Sequence, residues 1–268
     1  MGKTKRHIKL HSSVLPIVLL VVFVVCASFS EVKLSQQKCT DLKVSFAENA
    51  SHSNFLTSDD VCEYLEINRN MMIGQLVNDV DVNELEEKLD NNPFVESCEV
   101  FISALGELNI FIKQRSPLVR VISSNGDSFY VDELGYEMPI STENSSRVIV
   151  ASGEFNVSCN SQTQVVKDTI NPKVLLKVFA LAQMIVQDKL LEPLVEQIYV
   201  TSGGEYKLTT KVGPEIVELG KFDESIPNKL EKLKSFYLAD KVHEQWYLYK
   251  SISLKFNNIK LWMICIQN

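Results

Sequence analysis

The chain holds four histidines and six cysteines among 268 residues, with 34 acidic side chains. Any catalytic chemistry must be assembled from these and from the hydroxyls. A nucleophile activated by imidazole needs a histidine to take its proton. His7 and His11 belong to a basic N-terminal tail, which leaves His52 in Asn49-Ala-Ser-His-Ser-Asn54 and His243 in Lys241-Val-His-Glu-Gln-Trp246. Both settings read as solvated loop or helix-end histidines. The cysteines, at positions 26, 39, 62, 98, 159 and 265, show no Cys-x-x-Cys spacing, so a zinc site is not indicated. The acidic run from Asp79 to Asn83 imitates the start of a calcium loop. Glu84, however, stands where the sharp turn needs glycine, and Asp90 where a bidentate glutamate is required, so the run reads as a helix start. No Gly-rich phosphate loop is present, and no nucleophile, base or cofactor-binding set suggests itself.

Hydrophobic residues make up 45% and charged residues 23%, an ordinary globular balance. The net charge is −7, and four basic side chains (Lys3, Lys5, Arg6, Lys9) lie in the first thirteen residues with no acid among them. The remainder is therefore more acidic than the total, a poor surface for nucleic acid. Sixteen uncharged residues follow, Val14 to Phe29. They are open to three readings: a cleaved signal peptide, an uncleaved anchor, and a lipoprotein signal at Cys26, the last weakened by Val25 in the preceding position. Each places residues from about Glu31 onward outside the cytoplasm. Five cysteines are then external. A Cys39–Cys62 disulfide is conceivable there, but the odd number and the strand-like alternation around Cys98 and Cys265 favour mostly free, buried thiols.

Periodicity supplies the elements that would carry a site. Asp41 to Ala47 alternates as a strand, Ser58-Asp-Asp opens a helix through about Glu66, and a second helix runs from Val82 to Asn91 before Pro93. Strands follow over 95–103 and 107–114 around a short Ala104-Leu-Gly106 turn. Leu175, Val178, Phe179, Ala182 and Ile185 recur at helical spacing and should pack on a sheet. Asp132 and Gly135 should shape a turn, with the carboxylate accepting from backbone N–H groups.

The β-α-α-β-β order, with Asn92-Pro-Phe-Val95 running into Glu99-Val100 and then Ile110-Phe-Ile-Lys-Gln-Arg-Ser-Pro117, resembles a POTRA domain. Directly behind it come Leu118 to Ile122, then Ser128 to Gly135 with its Asp-x-x-Gly ending, and Met138-Pro139. The remainder continues through Val148 to Gly153, a helix over 172–190, Ile198-Tyr-Val200, Gly204 to Leu208, a helix over 230–239 and the closing strands 251–256 and 259–266. In that order these segments are similar to the FtsQ/DivIB cell division proteins. The resemblance implies an α+β chain with a single N-terminal transmembrane helix, a POTRA domain, and a mainly antiparallel β-sheet domain with covering helices. The corresponding boundaries are a cytoplasmic tail 1–13, an uncleaved anchor 14–30, a linker 31–38, a POTRA domain 39–117 and a β domain 118–268.

The resemblance also implies a non-enzymatic scaffold at the division septum, anchored in the inner membrane with its N-terminus cytoplasmic and its bulk periplasmic. Its partners would be FtsB and FtsL, with FtsK, FtsW and the septal transpeptidase as further candidates, and the POTRA domain would contribute to recruitment. An edge strand offers unpaired N–H and C=O groups to which a partner can add a strand. Asn257-Asn258 suits a turn, folding 259–266 back on 251–256 as a hairpin. Matched to the family's binding region, the partner-contacting positions are Phe256, Asn258, Ile259, Lys260, Leu261, Trp262, Met263 and Ile264. Phe256 and Trp262 have burial in the core as the competing assignment. Two rival functions are a single-POTRA chaperone-like module of envelope assembly and an exported enzyme.

Overall fold

The computed structural model describes residues 16, 18–24, 37–47, 55–141, 144–165, 173–239, 249–256 and 260–263. Residues 16 and 18–24 are helical with exposed apolar side chains such as Leu19, Leu20 and Phe23. Among the described residues no helix is long and apolar enough to cross a membrane. The rest of the expected anchor, His52 and His243 lie outside the described residues.

The chain clusters into two compact units that interleave in sequence. The first holds Met1–Ser45, Ser58–Leu89 and Cys98–Ile112, and the second Phe46–Thr57, Asp90–Ser97 and Lys113–Asn268. Strands β1 (Asp41–Phe46), β2 (Val95–Ile102) and β3 (Glu107–Gln114) form a three-stranded sheet in the order β1-β3-β2. Leu108, Ile110 and Ile112 alternate to its buried side, as a half-covered strand requires. Helix α1 (Ser58–Tyr64) stops short of the expected Glu66, because Glu66 takes φ +58 and Ile67 N bonds back to Cys62 O, a left-handed cap. A short helix α2 (Arg69–Met72) and a 3-10 turn (Val77–Asp79) intervene, which the β-α-α-β-β reading omits. Asp81 then caps helix α3 (Val82–Asp90), its Oδ1 accepting from Glu84 N at 3.1 Å. The acidic run is a helix start.

The second unit is built on a nine-stranded sheet in the order β12-β11-β10-β9-β8-β7-β4-β5-β6. The strands are β4 (Pro117–Ile122), β5 (Ser128–Asp132), β6 (Glu137–Pro139), β7 (Ile149–Gly153), β8 (Val195–Val200), β9 (Glu205–Thr210), β10 (Ile216–Lys221), β11 (Tyr249–Ser253) and β12 (Lys260–Met263). Neighbours pair antiparallel except at β4–β7, β7–β8 and β10–β11. Parallel neighbours need a crossover, usually helical. Helix α4 (Lys173–Val186) links β7 to β8, followed by the short α5 (Leu191–Leu194), and helix α6 (Ile226–Tyr237) lies between β10 and β11.

Helix α4 ends before the expected Leu190 because Asp188 Oδ1 accepts from Leu190 N and Leu191 N at 3.0 and 3.2 Å, opening α5 instead. Helix α6 begins earlier than expected, with proline in its first turn. The core joins Leu175, Val178, Phe179, Ala182 and Ile185 of α4, and Leu230 and Leu233 of α6, to Val119, Val121, Ile198, Leu208, Val217, Leu219 and Ile252 of the sheet. A smaller cluster holds Phe55, Tyr130 and Met138, with the Phe55 ring stacked on Phe94 at 5.3 Å. The Gln114 amide fixes that corner by accepting from Phe55 N and Leu56 N at 2.8 and 3.0 Å and donating to Leu56 O at 2.9 Å.

Burial of the thiols departs from expectation. Cys39 is buried, whereas Cys62, Cys98 and Cys159 are half-buried. The Cys98 thiol donates to Glu86 O at 3.6 Å. Burial pushes the Cys62 and Cys159 thiols above their ordinary range. Cys26 and Cys265 lie outside the described residues.

Candidate functional site

Two strands end the large sheet, and they are treated differently. At β6, Glu137 N donates to Thr163 O and Glu137 O accepts from Gln162 N, both at 3.0 Å. Glu137 Oε2 accepts from Asn160 N at 2.7 Å, so the 160–165 segment covers that edge with its own backbone. The other end is β12. It pairs antiparallel with β11, setting Leu261 across from Ile252, Trp262 across from Ser251 and Lys260 across from Ser253, with a register shift between Tyr249 and Ser251. Beneath it β11 runs parallel to β10, with Ile252 beside Val217 and Ser253 beside Glu218. Ile252 and Leu254 are both completely buried. The inner strand of the hairpin is thus fixed in the core, and among the described residues β12 is the terminal strand of the sheet.

Of the expected contact positions, Phe256 is 55% exposed, which sets aside its assignment to the core. Lys260, Leu261, Trp262 and Met263 form β12. Asn258, Ile259 and Ile264 lie outside the described residues.

Charge at this end is organised on the sheet. Lys255 Nζ donates to Glu205 Oε2 at 2.8 Å and stands 3.5 Å from Glu218 Oε2, while Lys207 Nζ stands 3.8 Å from Glu218 Oε1. The hydrogen bond from Lys255 holds the Glu205 carboxyl below the usual carboxylate range, and the same bond raises Lys255. Sequence reasoning missed this set. Lys255 and Glu205 are 50 residues apart, and no local spacing marks them as partners. It also missed β10 altogether. Gly220, at φ +78, and the register shift beside it break the alternation that identifies a strand.

Elsewhere in the unit, buried polar groups hold the scaffold. Asp132 Oδ1 accepts from Leu134 N and Tyr136 N at 3.0 and 2.6 Å, and its Oδ2 from Arg115 Nη1 at 2.9 Å. Gly135 sits at φ +81, and Arg115 lies 4.3 Å from the centre of the Tyr136 ring. This is the expected turn, with an arginine added. The Tyr237 hydroxyl donates to buried Glu215, and burial pushes that phenol above its ordinary range. In the first unit a groove of about 760 Å³ lies along the edge strand β1, lined by Leu42, Lys43, Val44, Ser58, Cys62 and Arg69 among others. Among the described residues no group of three or more His, Cys, Asp or Glu side chains is placed to hold a metal ion.

Compared with known families, residues 116–259 match the model described as FtsQ/DivIB, C-terminal related, and residues 37–113 match that of a POTRA-like domain. Both are non-enzymatic kinds of domain. No curated protein matches the chain.

Proposed function

We propose that this chain, which belongs to the FtsQ/DivIB family, is a non-enzymatic scaffold of the bacterial division machinery that takes its partner on the terminal strand β12. The family supports a division-related role at a membrane site. In our reading the basic tail stays in the cytoplasm, residues 14–30 anchor the chain, and both matched regions face the periplasm. FtsB and FtsL are the proposed partners, with FtsK, FtsW and the septal transpeptidase as further contacts.

The carrying observation is the contrast between the two sheet edges. The 160–165 segment covers β6, whereas β12 ends the sheet beside an inner strand anchored by Ile252 and Leu254. A partner strand that hydrogen-bonds to β12 extends a ladder whose inner rungs are already paid for in burial, so the added bonds go into affinity. Phe256 would add apolar contact at the turn, where aromatic anchors dominate interface energetics.

The test is photocrosslinking in cells from Phe256, Lys260, Trp262 and Ile264 in turn, with the captured protein identified by mass. Capture of FtsB or FtsL from this strand supports the reading. Capture of the same proteins only from β1, with none from β12, contradicts it. The topology is tested separately by a reporter fused after Asn268, which should be active only outside the cytoplasm.

A further inference from the structure

The chain leaves β11 at Ser253, and just beyond it Leu254 N donates to Glu218 O at 2.8 Å. The next side chain is that of Lys255, which turns back over the sheet. It passes β10 at Gly220, where an added Cβ would stand 3.1 Å from Lys255 Cγ, tighter than ordinary van der Waals contact. The missing side chain is therefore a notch that seats the lysine stem. Beyond the notch, Nζ reaches Glu205 on β9 and Glu218 on β10. One side chain thus binds the end of β11 to two strands. The next residue, Phe256, is exposed, and the ladder that holds β12 to β11 is short and interrupted by a register shift.

We infer that Lys255 is a positioning residue: seated in the Gly220 notch and held by Glu205 and Glu218, it fixes the direction in which the chain leaves β11 and so the placement of β12 at the end of the sheet. The inference deepens the docking reading and rests on it only for the consequence that a misplaced β12 binds its partner less well. Charge-assisted bonds are the stronger class of hydrogen bond, and one that is partly shielded resists local opening. Removing the charge while keeping the stem should free the hairpin without disturbing the core beneath it.

The measurement is amide hydrogen exchange on the full-length chain, comparing wild type with Lys255→Met, Lys255→Arg and Glu205→Gln. The expected result is exchange about tenfold faster over residues 249–256 and 260–263 in Lys255→Met and Glu205→Gln. Rates in β7 and β8 should be unchanged, and Lys255→Arg should restore the wild-type rates. Unaltered exchange at the hairpin in Lys255→Met overturns the inference. So does acceleration spread equally across β7 to β10, or an arginine variant as fast as the methionine one. If Lys255→Met does not accumulate, Glu205→Gln carries the same expectation. Crosslinking from Trp262 in the same variants separates the two readings. If wild type captures no FtsB or FtsL, the docking reading fails while the exchange result still decides the role of Lys255.

Discussion

Asp132→Asn isolates the buried ion pair of the second unit. The Arg115 and Asp132 side chains are 9% and 2% exposed, so neither charge has water to fall back on. Asparagine keeps an oxygen for Leu134 N and Tyr136 N, but it withdraws the negative charge and leaves the guanidinium buried. Arg115 Nε is already buried with no acceptor among the described residues, so the arginine has little else to bond. Breaking one partner of a buried pair costs about 3–5 kcal/mol. The Tyr136 ring, 4.3 Å from the guanidinium, offsets part of that by up to about 2 kcal/mol. The expected loss is at the lower end, about 3 kcal/mol, read from urea denaturation.

Adding Arg115→Met to Asp132→Asn should recover more than half of the loss, since no charge is then stranded. A loss below about 1 kcal/mol in Asp132→Asn, or a double variant no more stable than the single, would refute the reasoning.

The same kind of accounting gives further expectations. Tyr237→Phe removes the hydroxyl that donates to Glu215, whose Oε2 is already buried without a partner among the described residues. It should cost about 1–3 kcal/mol, and Tyr237→Phe combined with Glu215→Leu should cost less than the single change. Gly153→Ala should be far worse than Gly126→Ala. Both have positive φ, but a Cβ at 153 would stand 2.0 Å from Val200 O, whereas a Cβ at 126 meets nothing within 4 Å; melting temperatures of the two variants decide it. Glu205 has a depressed carboxyl pKa, so the stability it contributes is present above its unfolded value and is lost as pH falls through the folded one. Hairpin protection in wild type, measured relative to the intrinsic exchange rate at each pH, should therefore fall in acid, and the Glu205→Gln variant should lack that step. Cys39 should resist alkylation in the native chain, while Cys62 and Cys159 react slowly because burial disfavours their thiolates; mass analysis without reductant should show no pair of internal disulfides.

Much of this architecture was legible in the chain because it is local. The α4 stripe from Leu175 to Ile185, the alternation of β3 and the Asp132 turn are each settled within a few residues, and each appears as read. The hairpin pairing of β11 with β12 was likewise legible from the apolar segments on either side of Asn257-Asn258. Non-local features were not legible. β10 carries a bulge at Gly220 that only its neighbours explain, and the Lys255–Glu205 bond joins strands whose adjacency is a property of the completed sheet. Helix ends shifted where a single side chain decided the cap, as with Asp188 after α4 and the left-handed Glu66 after α1. The burial of Cys98 was overestimated because alternation reports which face a residue takes, and not whether that face is covered.

The most direct test of strand docking is amide exchange in the full-length chain with and without FtsB and FtsL. A partner strand bonded to β12 should protect alternate amides of 260–263, those whose N–H groups point away from β11, and leave β6 unchanged. Protection confined to β1 and its groove, with β12 exchanging at its free rate in the complex, would contradict docking at the end of the large sheet.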